Sequence, residues 1–317
     1  HAYLARLNAD GTLDASWAPT PNGAIQQVAV MADGSVYVAG VFTTFKPNGS
    51  STTVTRSYAA RIKADGTVDT EFDPEPNATV YQIVPLSDGK VALGGAFTTI
   101  KGKARQYLGR VDANGALDTA YYPKPNGPVS RIVLADSTGG AIVAGEFSSF
   151  EQNDAGTSVS RSLVARVNSD GSLEETFQPI PNNFVEDIAV HSDGTIVLSG
   201  SFTAFRFEEG GTATRRNYLA RFLPAGTLDP LFNPNSNGVV YTVNRRADGS
   251  MLIGGSFNQL RPSAVVVVGG EFQNFAESPT PYLARLNDDG SIDAYFTARP
   301  NGPVRALAEQ SDGMLVV

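Results

Sequence analysis

The phrase Tyr3-Leu-Ala-Arg6 returns five times, as Tyr58-Ala-Ala-Arg61, Tyr107-Leu-Gly-Arg110, Leu163-Val-Ala-Arg166, Tyr218-Leu-Ala-Arg221 and Tyr282-Leu-Ala-Arg285. Successive starts lie 55, 49, 56, 55 and 64 residues apart. A period this long means one supersecondary unit copied along the chain, and the fold has to accommodate every copy. Each phrase is followed by a turn closing on glycine, then an apolar residue and a carboxylate. An aromatic stands four places beyond the apolar residue, at Trp17, Phe72, Tyr121, Phe177, Phe232 and Phe296.

A proline-rich bend then closes on Asn22, Asn77, Asn126, Asn182, Asn237 and Asn301. Beyond it come a valine-rich run, a second turn such as Asp88-Gly89, and a run ending in Gly-x-Phe, as at Phe42, Phe97, Phe147, Phe202 and Phe257. Short apolar runs between glycine and proline clusters read as strands and turns, and helical spacing is hard to find. Each repeat offers four strand candidates, typified by Val80–Leu86, Lys90–Phe97, Tyr107–Val111 and Ala116–Tyr121. A four-stranded sheet that is apolar on both faces hides neither from water, and stacking such sheets around an axis hides both.

The phase of the ends predicts closure. The chain starts with the third and fourth strands of a repeat (Tyr3–Leu7, Thr12–Trp17) and stops with the first and second (Val304–Ala308, Met314–Val317). The expectation is an all-β, six-bladed β-propeller of four-stranded antiparallel blades, closed by a blade shared between the two ends. It forms a single domain over residues 1–317, with units beginning near residues 3, 58, 107, 163, 218 and 282. In the fifth repeat Leu252-Ile-Gly-Gly-Ser-Phe257 is echoed by Val267-Val-Gly-Gly-Glu-Phe272, which predicts an extra hairpin or irregular strand near 258–272.

The wording of Tyr3-Leu-Ala-Arg-Leu-Asn-Ala-Asp-Gly-Thr-Leu-Asp14 and Val84-Pro-Leu-Ser-Asp-Gly-Lys-Val-Ala-Leu-Gly-Gly-Ala-Phe97 resembles the delta-60 repeat, a bacterial family of uncharacterised function. The resemblance extends over essentially the whole chain. It implies a β-propeller within a larger secreted or surface-attached bacterial polypeptide, and it carries no catalytic residues with it.

Chemistry is sparse. There are no cysteines, which removes disulfides, thiolate metal sites and a cysteine nucleophile, and only two histidines, His1 and His191. No phosphate-binding glycine loop opens a helix. The net charge of −8 disfavours nucleic acid as a partner, and no 18-residue apolar stretch predicts membrane insertion. Carboxylates remain as weak catalytic candidates: Glu146 and Glu271 inside Gly-x-Phe, and Glu186 and Asp187 at the start of a first strand. The turn Asn8-Ala-Asp10-Gly-Thr-Leu-Asp14 spaces oxygens as a weak calcium site, although hairpin chemistry explains it better.

The Arg column (Arg6, Arg61, Arg110, Arg166, Arg221, Arg285) is expected to pair with the acidic column (Asp14, Asp69, Asp118, Glu174, Asp229, Asp293), and the Asn column to brace backbone. Two regions differ between repeats and are the expected ligand-binding positions. One is the residue just after the entry valine: Gln27, Gln82, Arg131, Asp187 and Thr242, with Ala306 last. The other is the loop before the third strand: Lys46–Thr55, Lys101–Ala104, Glu151–Ser160, Arg206–Arg215 and Ala276–Pro281. The sequence favours a non-catalytic recognition or structural module, extracellular or on the cell surface. Its partner would be a polysaccharide or a surface protein, met at these loops or at the axial mouth. A carboxylate-based carbohydrate-active enzyme and a ligand-free spacer are the alternatives.

Overall fold

The computed structural model describes residues 2–47, 50–151, 156–245 and 251–257, together with Phe296, Val304, Ala308–Glu309 and Leu315–Val316. Among these residues there are many antiparallel strands and no α-helix. The chain divides into two compact units, one made mainly of residues 1–132 and the other mainly of residues 174–317.

In the first unit, Ile25–Val30, Val36–Gly40 and Ala59–Ile62 form one three-stranded antiparallel sheet. Val80–Pro85, Val91–Gly95 and Leu108–Val111 form the next, with Val91–Gly95 in the middle. The second unit repeats the plan with Val185–Val190, Ile196–Gly200 and Leu219–Phe222, followed by the pair Val240–Arg245 and Met251–Gly255. Strands Val129–Leu134, Ala141–Gly145 and Val164–Val167 carry the same sequence columns in the same order. The turn between first and second strands is set by its aspartate. Asp33 Oδ1 accepts from the Ser35 amide (2.9 Å) and hydroxyl (2.6 Å), and Gly34 takes a left-handed φ of 78°.

The middle strand is buried along its whole length in every case, as in Val91–Gly95 and Ile196–Gly200. This explains why those runs are continuously apolar rather than alternating. Tyr37 and Ala39 of the first sheet pack with Val80, Ile83 and Leu93 of the second, and Phe72 meets Tyr37 edge to face at 5.0 Å. On the other side of the first sheet, Trp17 packs with Val36, Val38, Phe42 and Phe45. In the second unit, Val243, Leu252, Phe232 and Phe257 share a cluster with Val304.

The expected fourth strand is reduced to a single bridge. Val111 bridges Leu117 and Ile62 bridges Val68, and the chain then leaves the sheet. The next carboxylate turns back on the backbone: Asp69 Oδ1 accepts the amide of Glu71 and Asp118 Oδ1 that of Ala120. Such local bonds compete with a strand ladder, so the sheets are three-stranded with a one-residue fringe.

Two local distortions recur. The register between first and second strands skips one residue, at Ile25/Gln27, Val80/Gln82, Val185/Asp187 and Val240/Thr242. The bulge brings the first strand so close that a Cβ on Gly95 would strike the carbonyl oxygen of Thr79. The third strand is entered through a tight turn in which Tyr3, Tyr58, Tyr107, Leu163 and Tyr218 all have φ of 62–66°. The Ala59 amide bonds Ser57 O at 2.8 Å across Tyr58, a γ-turn of the strained hand. Each third strand therefore starts one residue later than its apolar run.

The proline bend also takes a left-handed residue, at Thr20, Glu75, Lys124 and Asn235. The exception is Ile180. There the chain stays extended, and Ile180–Pro181 pairs with Phe205 and Arg206 as a short strand. At the C-terminal end Ala308–Glu309 pairs antiparallel with Leu315–Val316, the expected first and second strands of a last repeat. The predicted hairpin at 258–272 lies outside the described residues.

Candidate functional site

The column just after the entry valine is the bulged position, and its side chains bridge to a neighbouring strand. Gln27 Oε1 accepts the backbone amide of Ile83 at 3.0 Å, and Gln82 Oε1 accepts that of Ile132. Asp187 Oδ2 accepts the hydroxyl of Thr242 and the amide of Val243, each at 3.0 Å, while its Oδ1 takes the amide of Ile188. Arg131 Nη1 donates to Ser130 O at 3.0 Å. Of the expected ligand-binding residues, the fold brings Asp187 and Thr242 into direct contact and gives Gln27 and Gln82 the same strand-bridging role. The first strand is the edge of its sheet and has unpaired amides along that edge, which these side chains satisfy.

The carboxylate candidates are dispersed in environment. Glu146 is exposed, and Glu186 is half-buried and accepts from the Ser201 hydroxyl at 3.3 Å. Glu271 lies outside the described residues. At the calcium candidates, Asp10 Oδ1 accepts the amide and hydroxyl of Thr12, which together hold its carboxyl below the usual range. Asn8 Nδ2 donates to Thr12 Oγ1 at 3.0 Å. Asp14 accepts from Ser16 and from Arg6, which also lower it. All three are engaged in local turn chemistry.

Four of the repeated arginines pair as their column predicts, and Arg285 and Asp293 lie outside the described residues. Arg110 Nε donates to Asp118 Oδ2 at 2.9 Å, its guanidinium lies 4.3 Å from the Tyr121 ring centre, and Nη1 reaches Ser169 O at 2.7 Å. Arg6–Asp14, Arg61–Asp69 and Arg221–Asp229 repeat the pair. In the fourth copy Glu174 is one methylene longer and turns to Thr176 instead. The Asn column braces backbone, though at longer range than its own turn. Asn77 Oδ1 accepts the amides of Thr98 and Thr99, and Nδ2 donates to Thr98 Oγ1.

A second arginine column was missed at the sequence level: Arg56, Arg105, Arg161 and Arg216, two places before the phrase's first residue. All four are buried. Arg56 donates to the carbonyls of Phe72, Asp69 and Thr70, and Arg105 and Arg216 reach the equivalent Thr119 and Asp229 carbonyls. Arg56, Arg105 and Arg216 thus clamp the turn that the lost fourth strand leaves unpaired. The signal was present in the fixed spacing of Arg56-Ser-Tyr58, Arg105-Gln-Tyr107, Arg161-Ser-Leu163 and Arg216-Asn-Tyr218.

With both columns so engaged, variation is left to the hairpins before the third strand. Thr99–Ile100 and Lys103–Ala104 close on the two residues Lys101-Gly102, both left-handed. Ala204–Arg206 pairs with Thr214–Arg215 around the longer Phe207–Ala213 loop. A groove lies on each side of this last hairpin. One, of about 670 Å³, is lined by Thr203, Arg215, Asn217, Tyr218, Asn235 and Ser236 among others. The other, of about 590 Å³, is lined by Gln178, Phe207, Thr214, Arg216, Leu228 and Pro230 among others, with Phe207 exposed.

A family model described as a domain of unknown function (DUF5122) beta-propeller matches residues 1–16, 32–72, 86–121, 142–177, 191–232 and 265–296, well over half of the chain. No curated protein matches. Among solved structures, the WD40 beta-propeller domain of Doa1 is 15% identical with a TM-score of 0.48, covering 74% of this chain. The chain spans 61% of that structure's length. Streptogramin B lyase is 14% identical with a TM-score of 0.45, covering 93% of this chain and 90% of the lyase. A protein of unknown function from Bacteroides caccae is 17% identical with a TM-score of 0.38, covering 71% of this chain and 72% of its own.

Proposed function

Because the chain belongs to the DUF5122 β-propeller family, we propose that it is a non-catalytic recognition module of a secreted or cell-surface bacterial protein. It binds a glycan or a surface protein through its unequal hairpins. The observation that carries this reading is the division of labour among its side chains. The polar columns common to the repeats are engaged in internal bonds, as Asn77, Arg110 and Arg56 illustrate, whereas the hairpins differ in length and one of them is flanked by grooves. Rigid repeats bearing divergent loops are a general means of recognition.

The delta-60 wording and a closed ring of six blades belong to the same proposal. Val28 is 42% exposed, whereas its counterparts Ile83, Ile132, Ile188 and Val243 are all buried. Ile83 is covered by the second strand of the preceding sheet, through Tyr37 and Ala39. A preceding second strand for Val28 is what the C-terminal Leu315–Val316 would supply. Val304 supports the sixth repeat, since it packs on Gly254 as Val129 packs on Gly94.

Screening the purified chain against a glycan array and cell-surface extracts tests recognition. Saturable binding to a defined glycan or surface protein is expected. Silence in both screens leaves the ligand-free spacer as the better account, and turnover of any glycan would favour an enzyme.

A further inference from the structure

The 670 Å³ groove lies where one repeat departs from all the others. Asn235-Ser236 stands where the other described bends have Thr20-Pro21, Glu75-Pro76, Lys124-Pro125 and Ile180-Pro181. Asn217 stands where they have Ser57, Gln106 and Ser162. The lost proline ring is replaced by side-chain bonds: Ser236 Oγ donates to Gly238 O at 2.8 Å, and Asn217 Nδ2 donates to Asn235 Oδ1 at 2.7 Å. Asn217 is only 7% exposed, so a fixed amide forms the groove's inner wall.

That amide also orients a cation. Asn217 Oδ1 accepts from Arg215 Nε at 3.2 Å, and Arg215 stands exposed on the short strand Thr214–Arg215. Its Nη1 and Nη2 have no partner among the described residues. A guanidinium held by its Nε edge presents the two Nη groups end-on, a geometry that matches the two oxygens of a carboxylate. Among the described residues the groove lining contains no acid to compete for it. Asn235 Nδ2 and the Tyr218 hydroxyl complete a set of neutral groups suited to hydroxyl ligands.

We propose that this groove binds an acidic saccharide, with a uronic-acid carboxylate seated on Arg215 and ring hydroxyls bonded to Asn235 and Tyr218. The proposal rests on the recognition reading above and gives it a location and a ligand class. The cavity volume is in the range of small-ligand clefts.

Titration calorimetry on the full chain tests it with trisaccharides of galacturonate, mannuronate and glucuronate, the methyl ester of each, a neutral galactose trisaccharide and a sulfated heparin fragment. At least one uronate is expected to bind. Esterification and Arg215→Ala should each weaken that binding tenfold or more, and Arg215→Lys should recover it only in part. Circular dichroism confirms that the variants are folded. No uronate binding, equal binding of acid and ester, binding of the sulfated fragment alone, or indifference to Arg215→Ala each overturns the proposal. Binding of another glycan or a surface protein that ignores Arg215→Ala overturns it while leaving the recognition reading intact. Silence in the glycan and extract screens overturns both.

Discussion

Asp187 Oδ2 accepts the backbone amide of Val243 at 3.0 Å, joining the first strands of two successive sheets through one carboxylate oxygen. Gln27 makes the same connection to Ile83 with a longer side chain. The shared requirement is an acceptor at the bulge, which both Gln and Asp meet.

Replacing Asp187 by Ala should strand the Val243 amide and the Thr242 hydroxyl, costing about 1–3 kcal/mol of stability. Asp187→Asn retains a carbonyl acceptor and should cost less than half as much. Urea unfolding of the two variants checks the order. Equal losses would mean that the charge, rather than the acceptor, matters.

Gly95→Ala should be severe, about 2–3 kcal/mol or more, because the new methyl meets the rigid Thr79 carbonyl. Gly94→Ala should be mild, within about 1.5 kcal/mol, since its obstructions are the Val129 and Ile132 side chains. The same column already holds Ala39, Ala144 and Ser199. Thermal midpoints of the pair measure the contrast.

The left-handed Tyr58 stores strain of about 1–3 kcal/mol by general experience with such backbones. Tyr58→Val adds a branched Cβ to a position with φ of 64° and should destabilise clearly more than Tyr58→Gly, which relieves the backbone while losing the ring. Chemical denaturation of both variants would expose any reversal of that order.

Burial pushes the Asp118 carboxyl upward, but the Lys90 ammonium at 3.0 Å and the Arg110 guanidinium at 2.9 Å outweigh it and hold the group below its ordinary value. A depressed carboxylate adds stability that is fully present above its unfolded pKa and lost as pH falls through the folded one. The acid limb below about pH 4 should therefore carry an Asp118 contribution. Asp118→Asn should lower stability at pH 7 and flatten that limb, as read from thermal midpoints between pH 2 and pH 7.

If the ring closes as proposed, a neighbouring second strand covers Val28, and Val28→Asp should then cost several kcal/mol, approaching the loss at Ile83→Asp. Calorimetry on both variants discriminates. A harmless Val28→Asp would place that face in water and refute closure. Deleting residues 1–17 is the poorer probe, because Trp17 packs beneath Val36 and Val38 whether or not the ring closes.

The period, the hairpin turns at Asp33-Gly34 and Asp88-Gly89, and the Arg110–Asp118 pairing were legible in the sequence because each depends on residues close along the chain or repeated in a column. The same repetition identified the chain as a propeller-type all-β protein. Tertiary structure alone decided what the variable positions do. Gln82 and Asp187 look like a polar lining when read as a column. The amides they satisfy belong to Ile132 and Val243, 50 and 56 residues away. The fourth strand was likewise lost to bonds that periodicity does not register: Asp69 holds its own following turn while buried Arg56 takes that turn's carbonyls. Sequence pattern records which faces are apolar. Where each amide and carbonyl finds its partner is settled only when distant strands have packed, because a free hydrogen-bonding group selects whatever folding brings within 3 Å.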